Sequence, residues 1–264
     1  MRNSLLDAYE DLPRTVLALG NDYAAGRVLP PHSHQRSQCL YAITGVLTVT
    51  THEGSWVVPP RCASWLPGRI EHEVRMSGPT STRSAYISPD AALAAGLPTR
   101  CAVIGVSPLL HELLSAAVDL PNEYELGGRD DHLMTLLIDE IAAMPELPLN
   151  APLPLEPRMA RLCRDLLQAP TLEFDLDTAA RQTGMSRRNF TRLFREQTGM
   201  SFGQWRQQAC LLAALTRLGL GDSVTHVAME LGYSNTSAFT AAFQRMLRAA
   251  PSHYMAGRSI KDKG

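Results

Sequence analysis

The sequence predicts an α+β protein: an N-terminal β-sandwich or small β-barrel followed by helices, then an all-α C-terminal half containing two helix-turn-helix units. Three observations predict it. Short β-branched and aromatic runs, separated by Gly and Pro, fill residues 27–88, as in small all-β units. Pro145, Pro148, Pro152, Pro154 and Pro157 fall within thirteen residues, and none can sit inside a helix. In the last hundred residues one pattern occurs twice, 48 to 49 positions apart: Ala180, Gly184, Ser186, Phe190, Phe194 and Trp205 match Ala228, Gly232, Ser234, Phe239, Phe243 and Tyr254. Such a fixed internal period sets the architecture before any other feature is weighed.

Composition bounds the class. A chain of 264 residues, 45% hydrophobic, suits two domains with cores of their own. No apolar run approaches the roughly 20 residues of a membrane helix. Met1 to Gly20 carries Asp7, Glu10 and Asp11 and lacks a small-residue cleavage site after an apolar run, which argues against a secretory signal. Cys39, Cys62, Cys101, Cys163 and Cys210 are odd in number and never spaced Cys-x-x-Cys; free, buried thiols in a reducing cytoplasm are expected. The net charge of −1 hides an asymmetry. Residues 1–156 hold 10 Lys+Arg against 18 Asp+Glu, and residues 157–264 hold 15 against 8. A basic second half suits a polyanion, and the acidic first half does not.

Along the chain, strands are expected at Leu40–Ile43, Val46–Thr50, Trp56–Val58, Ala63–Leu66, His72–Met76 and Ser84–Ile87, within a barrel unit over residues 1–95. The period then changes. Ser107-Pro108 is an N-cap with Pro at the first helical position, and Leu109, Leu110, Leu113, Leu114, Ala117 and Val118 follow at helical spacing. A second helix carries Leu133, Leu136, Leu137, Ile141 and Met144. Residues 96–144 are read as the dimerisation region of a homodimer, with packing against the barrel as the alternative. Residues 145–157 read as an extended, semi-rigid linker, and 158–264 as the helical domain.

The repeat carries the functional signal. Asp175 caps a helix containing Ala179 and Ala180, Gly184 ends it, and Ser186 caps the next. In that second helix Phe190, Leu193, Phe194 and Gln197 share one face. The opposite face presents Arg187, Arg188, Thr191, Arg192 and Arg195, a basic surface on an aromatic anchor that suits insertion into a DNA groove. Arginine binds guanine edges in bidentate fashion or holds phosphates. The second copy starts at Ser223 and presents Thr236, Ser237, Thr240, Ala241 and Gln244, with Arg245 and Arg248 later. Being less basic, it is expected to supply hydroxyl, apolar and backbone contacts. Two such units suit successive major-groove faces about 34 Å apart.

The C-terminal half resembles the AraC/XylS family of bacterial transcription regulators in Val227-Ala228, Leu231-Gly232-Tyr233-Ser234, Phe239, Phe243, Pro251 and Tyr254, over about residues 160–256. The resemblance implies two helix-turn-helix units joined by a long helix, here about Gly203 to Leu218. Gly26, His32, His34, Gln38 and Gly45 are spaced like the first cupin motif, with Gln38 where glutamate is usual, and Pro67-Gly68-x3-His72 is similar to the second. Together they imply a cupin-like barrel with His32, His34 and His72 converging inside. Imidazole suits Zn²⁺, Ni²⁺, Fe²⁺ or Mn²⁺, so these three are candidate ligands of a divalent transition metal. Gln38 counts against metal, because its neutral amide is a poorer ligand than carboxylate and cannot serve as a base. A metal-free effector pocket is the alternative, lined by His32, His34, Gln38, Tyr41, Trp65, His72 and Tyr86. His52 and His111 are expected on a loop and on a helix surface.

These readings converge on a non-enzymatic, sequence-specific transcription regulator, activator or repressor, controlled by a small-molecule or metal effector in the barrel. Its expected partners are promoter or operator DNA, the effector and a second copy of the chain, with RNA polymerase as a further one. The rival reading is a metal-dependent cupin enzyme with an accessory DNA-binding domain.

Overall fold

The structure, a computed structural model, describes residues 11–247 and 250–252. Arg248 and Tyr254, named in the repeat and its outward face, lie outside them. The chain is mixed α+β, with an antiparallel sheet in the N-terminal part and helices in the C-terminal part. It divides into two compact units: residues up to Thr51 together with Val58–Leu147, and His52–Val57 together with Pro148 onward.

The first unit contains β1 (Val16–Tyr23), β2 (Val28–His32), β3 (Ser37–Thr50), and, beyond β4 (Gly54–Val58), β5 (Cys62–Leu66), β6 (His72–Ile87), α1 (Pro89–Ala94), β7 (Ala102–Gly105), α2 (Pro108–Ala117), α3 (Arg129–Ala143) and β8 (Glu146–Leu147). The sheet runs β1-β6-β3-β5-β7-β8, with β2 also on β6. Strands β3 and β6 are longer than the sequence suggests. Thr44-Gly45 reads as a turn between two strands, yet the register of β3 on β6 merely shifts there. Gly78, Pro79 and Thr80 of β6 stand opposite the single Gly45, an irregularity that bends the pair without ending either strand.

Side chains alternate across the sheet, and the alternation decides what each face does. One face presents Val16, Ala18, Cys39, Tyr41, Ala63, Trp65, Ala85 and Ile87 to Leu110, Leu113, Leu114 and Ala117 of α2 and to Met134, Leu137, Ile138 and Ile141 of α3. Each fully buried Leu or Ile there stabilises by roughly 1.5–3 kcal/mol. Most of the leucine excess in 96–144 is thus core of this unit; Leu109 and Leu136 stay exposed, at 47% and 43%. Cys39 and Cys62 are buried and free, and burial pushes both thiols up to about 12, so they stay protonated and unreactive.

The second unit contains β4, β9 (Asn150–Pro152), α4 (Pro157–Gln168), α5 (Leu176–Gln182), α6 (Arg187–Thr198), α7 (Phe202–Leu220), α8 (Val224–Glu230) and α9 (Thr236–Leu247). The proline-rich segment is folded. Gly54–Trp56 pairs antiparallel with Asn150–Pro152, Leu149 and Ala151 are fully buried, and the Trp205 indole donates to Pro152 O at 2.7 Å. Prolines at a strand edge lose no ladder bond they could have made. Among the described residues no helix is long and apolar enough to cross a membrane.

Candidate functional sites

Two helix pairs, α5–α6 and α8–α9, correspond to the two copies of the repeat. Gly184 and Gly232 hold the two turns at φ 66° and 81°, the left-handed region where glycine has no steric penalty. Asp175 Oδ1 caps α5 by accepting from Thr178 N at 2.7 Å, and Ser186 Oγ caps α6 by accepting from Asn189 N at 3.3 Å. On α6, Phe190 and Phe194 are fully buried against Phe202 of α7 at 5.4 and 5.5 Å. That anchor turns the other face outward. Arg187, Arg188, Thr191, Arg192 and Arg195 are all exposed and line one shallow concavity together with Glu196.

Acidic and amide side chains on this face escape the sequence reading. Arg187 Nη1 donates to both Asp177 oxygens at 3.0 and 3.1 Å. Arg192 Nη1 donates to Glu196 Oε1 and Oε2 at 3.0 and 2.8 Å, and its Nη2 to Asn189 Oδ1 at 3.0 Å. The legible signal was spacing, since Asn189 and Glu196 stand three before and four after Arg192. Exposed pairs of this kind contribute about 0.2–1 kcal/mol, little enough for a phosphate or a base edge to exchange with the carboxylate.

The α9 face carries no comparable charge. Ser237, Ala241, Gln244 and Arg245 are exposed, and Thr236 and Thr240 are half-buried. Asn235 Oδ1 caps the helix by accepting from Ala238 N at 2.8 Å. Phe239 and Phe243 are fully buried, as in the first copy.

A second cluster lies on the sheet. The register His32↔His72 ends β2 opposite the start of β6. His34 follows in a loop clamped from the other side: Arg69 N donates to His34 O at 2.7 Å, and Gly68 N to Ser37 Oγ at 3.1 Å. A Cβ at Gly68 would come within 2.1 Å of Gln35 O, so this approach needs glycine. Ring centroids lie 4.4 Å apart for His32–His72, 5.2 Å for His34–His72 and 6.2 Å for His32–His34. His34 and His72 are buried, whereas His32 is exposed. Gln38 joins them. Its amide lies 3.2 Å from His34 Nε2, 2.9 Å from the Tyr86 hydroxyl and 3.1 Å from Ser84 Oγ. Tyr86 packs edge-on against His34 at 5.2 Å. Ser84 is a member that the sequence reading missed.

Tyr41 and Trp65 do not join this cluster. Both belong to the apolar sheet face under α2 and α3, because odd positions of β3 and β5 point away from the side that bears Gln38. The Tyr41 hydroxyl bonds His111 Nδ1 at 2.8 Å, which leaves His111 half-buried and not at the surface as expected. Trp65 Nε1 donates to Pro98 O at 2.7 Å. His52 is exposed beside Glu53.

The metal expectation also fails a test of fit. Among the described residues no group of three His, Cys, Asp or Glu side chains is placed to hold a metal ion. The physical reason is Gln38. It stands where a carboxylate ligand would, and its amide occupies His34 Nε2, leaving His32 and His72 as an insufficient pair of imidazoles.

An exposed arginine face on a capped, anchored helix, repeated once in altered form, together with a sheet bearing a polar buried cluster, defines a two-part DNA-binding regulator. Residues 16–142 match the family model described as AraC-like ligand binding domain, and residues 179–257 match a helix-turn-helix domain. The HTH-type transcriptional regulator NimR of Escherichia coli K12 is 33% identical over 227 residues, which cover 86% of this chain and 82% of NimR. RipA of Corynebacterium glutamicum, also an HTH-type transcriptional regulator, is 37% identical over 110 residues, 40% of this chain and 32% of RipA. Fatty-acid-bound ToxT from Vibrio cholerae aligns with a TM-score of 0.39 at 11% identity, over 94% of this chain and 98% of ToxT. The chain belongs to the AraC family of helix-turn-helix transcriptional regulators and carries the family's ligand-binding domain.

Proposed function

We propose that this regulator reads a specific operator through two helix-turn-helix units, α5–α6 and α8–α9, and that a small molecule bound at the His34–Gln38–His72–Tyr86 cluster of a cupin-like barrel controls it. The observation that carries the DNA reading is the α6 surface: all five outward residues named from the sequence are exposed, on a helix whose aromatic anchors are fully buried. Arg188 and Arg192 are assigned to base edges, Arg187 and Arg195 to base or phosphate, and Thr191 to a hydroxyl contact. On α9, Thr236, Ser237, Thr240 and Gln244 make the weaker contacts. Exposed Leu109 and Leu136 support the homodimer as a self-complementary seam. The effector acts by binding one arrangement of the two units better than another, a coupling of about 1–3 kcal/mol.

Footprinting on the DNA upstream of the protein's own gene tests this. Arg188→Ala with Arg192→Ala should abolish the protected sequence while the protein stays folded by circular dichroism. An unchanged footprint overturns the assignment of α6.

A further inference from the structure

We infer that the effector of this cluster is a hydrogen-bond donor: a small neutral or cationic molecule that presents an N–H or O–H group to Nε2 of His72. The inference deepens the proposed ligand site and rests on it. It begins with proton accounting. His72 Nδ1 lies 2.8 Å from Ile70 O. A carbonyl oxygen only accepts, so Nδ1 carries the hydrogen. A neutral imidazole has one N–H, and Nε2 is therefore a bare lone pair.

That lone pair is orphaned. His72 is 1% exposed, and among the described residues its Nε2 has no hydrogen-bond partner. Buried polar atoms are nearly always paired, so this one calls for a donor from outside the chain. Protonating the ring would turn Nε2 into a donor, but it would place an unpaired charge on a ring that is 1% exposed and packed against two other imidazoles. At neutral pH the site keeps an acceptor there.

Its exposed neighbour agrees in sign, whereas His34 faces acceptor oxygens on both sides, Arg36 O and Gln38 Oε1. His32 also has Nδ1 against a carbonyl, Pro30 O at 2.8 Å, so in its neutral form the Nε2 of this exposed ring accepts as well. It stands 4.4 Å from His72, ring centre to ring centre. A carboxylate or phosphate would set lone pair against lone pair, and the ring resists the proton that would relieve the clash. A divalent cation would use the same lone pairs, yet His34 Nε2 faces Gln38 Oε1, an oxygen that only accepts, and so donates there; two imidazoles do not make a structural site.

The test is nuclear magnetic resonance on the full chain labelled with ¹⁵N-histidine at pH 7.5. The long-range spectrum should show His72 with hydrogen on Nδ1 and none on Nε2. Two matched probe pairs, acetamide with acetate and benzamide with benzoate, differ chiefly in that only the amides donate. The amides should shift the His72 Nε2 signal at concentrations at least tenfold below any at which the carboxylates do. His72→Phe keeps a ring but loses the acceptor, and should abolish the amide response at His32; the wild-type titration stands even if this variant misfolds. Carboxylates acting as well as amides would overturn the donor class and leave the ligand site standing. Hydrogen on Nε2 would overturn it too, as would one equivalent of Zn²⁺ moving all three histidines together. Silence of every probe at His32, His34 and His72 would overturn both the donor class and the ligand site.

Discussion

The two helix pairs are the same scaffold with different outer surfaces. Each has a left-handed glycine in its turn, Gly184 and Gly232. Each caps its second helix with a polar side chain, Ser186 and Asn235, and each buries two phenylalanines completely. Outward, α6 shows four arginines where α9 shows hydroxyls, an alanine and Gln244 before its first arginine, Arg245. The inward residues obey packing and so repeat, whereas the outward residues obey whatever they touch. Divergence confined to one face of a repeated scaffold is what the proposed DNA contact on that face requires.

The comparison breaks first at the anchors. Phe194 packs against Phe190, Phe202 and Trp205 at 5.5, 5.5 and 6.0 Å. Phe243 has Phe239 at 5.6 Å. Phe194→Ala and Phe243→Ala should each cost about 3–5 kcal/mol in denaturant unfolding. Equal losses would mean that the two cores are energetically interchangeable.

The outer faces should separate the copies more cleanly. Arg192→Ala is expected to cost about 1–3 kcal/mol of discrimination at one base pair, measured by titrating operator variants. Gln244→Ala should cost less and leave the salt slope of binding unchanged, whereas loss of a phosphate-bound Arg195 lowers that slope by about 1. If Gln244→Ala proved the more damaging, base reading would belong to the second copy.

A smaller effect tests whether the scaffolds are equivalent at their helix starts. Ser186→Ala and Asn235→Ala each remove a helix cap, and each should lower stability by about 0.5–2 kcal/mol, measured by thermal unfolding. Similar losses confirm like scaffolds; a large imbalance would show that one helix start is held by other contacts.

Residues that follow a period were legible in the sequence, and those placed by a third dimension were not. The two glycines, the caps Asp175 and Ser186, the phenylalanines and the five outward residues of α6 all follow from local spacing, whereas the cap of the last helix is Asn235 and not Ser234, the match of Ser186. Tyr41 and Trp65 went astray because an aromatic on a strand does not reveal which face it takes until the register of Gln38 on Tyr86 is known. The proline-rich segment looked like a spacer because nothing local announces that Gly54–Trp56 will pair with it. Gln38 was noticed as a missing carboxylate. Its bonds to His34, Ser84 and Tyr86 join residues up to 48 positions apart.

Glu196 gives the subtlest test, because its two roles predict opposite signs. Its carboxylate sits on the face proposed to meet DNA, where a negative charge would repel DNA of any sequence by an amount that salt screens over about 10 Å at 0.1 M. It also accepts from Arg192 at 2.8 Å while Asn189 holds the other terminal nitrogen, so the guanidinium is fixed from both sides. Glu196→Ala should therefore tighten binding to unrelated duplex by a few-fold, in line with the small energies of exposed pairs, and at the same time reduce discrimination at the base pair that Arg192 reads. In an Arg192→Ala background the second effect should vanish while the first remains, since the repulsion is long-ranged and the restraint needs its partner. A uniform gain on every sequence, with discrimination intact, would mean that Arg192 finds its base without help and that the carboxylate merely opposes the backbone.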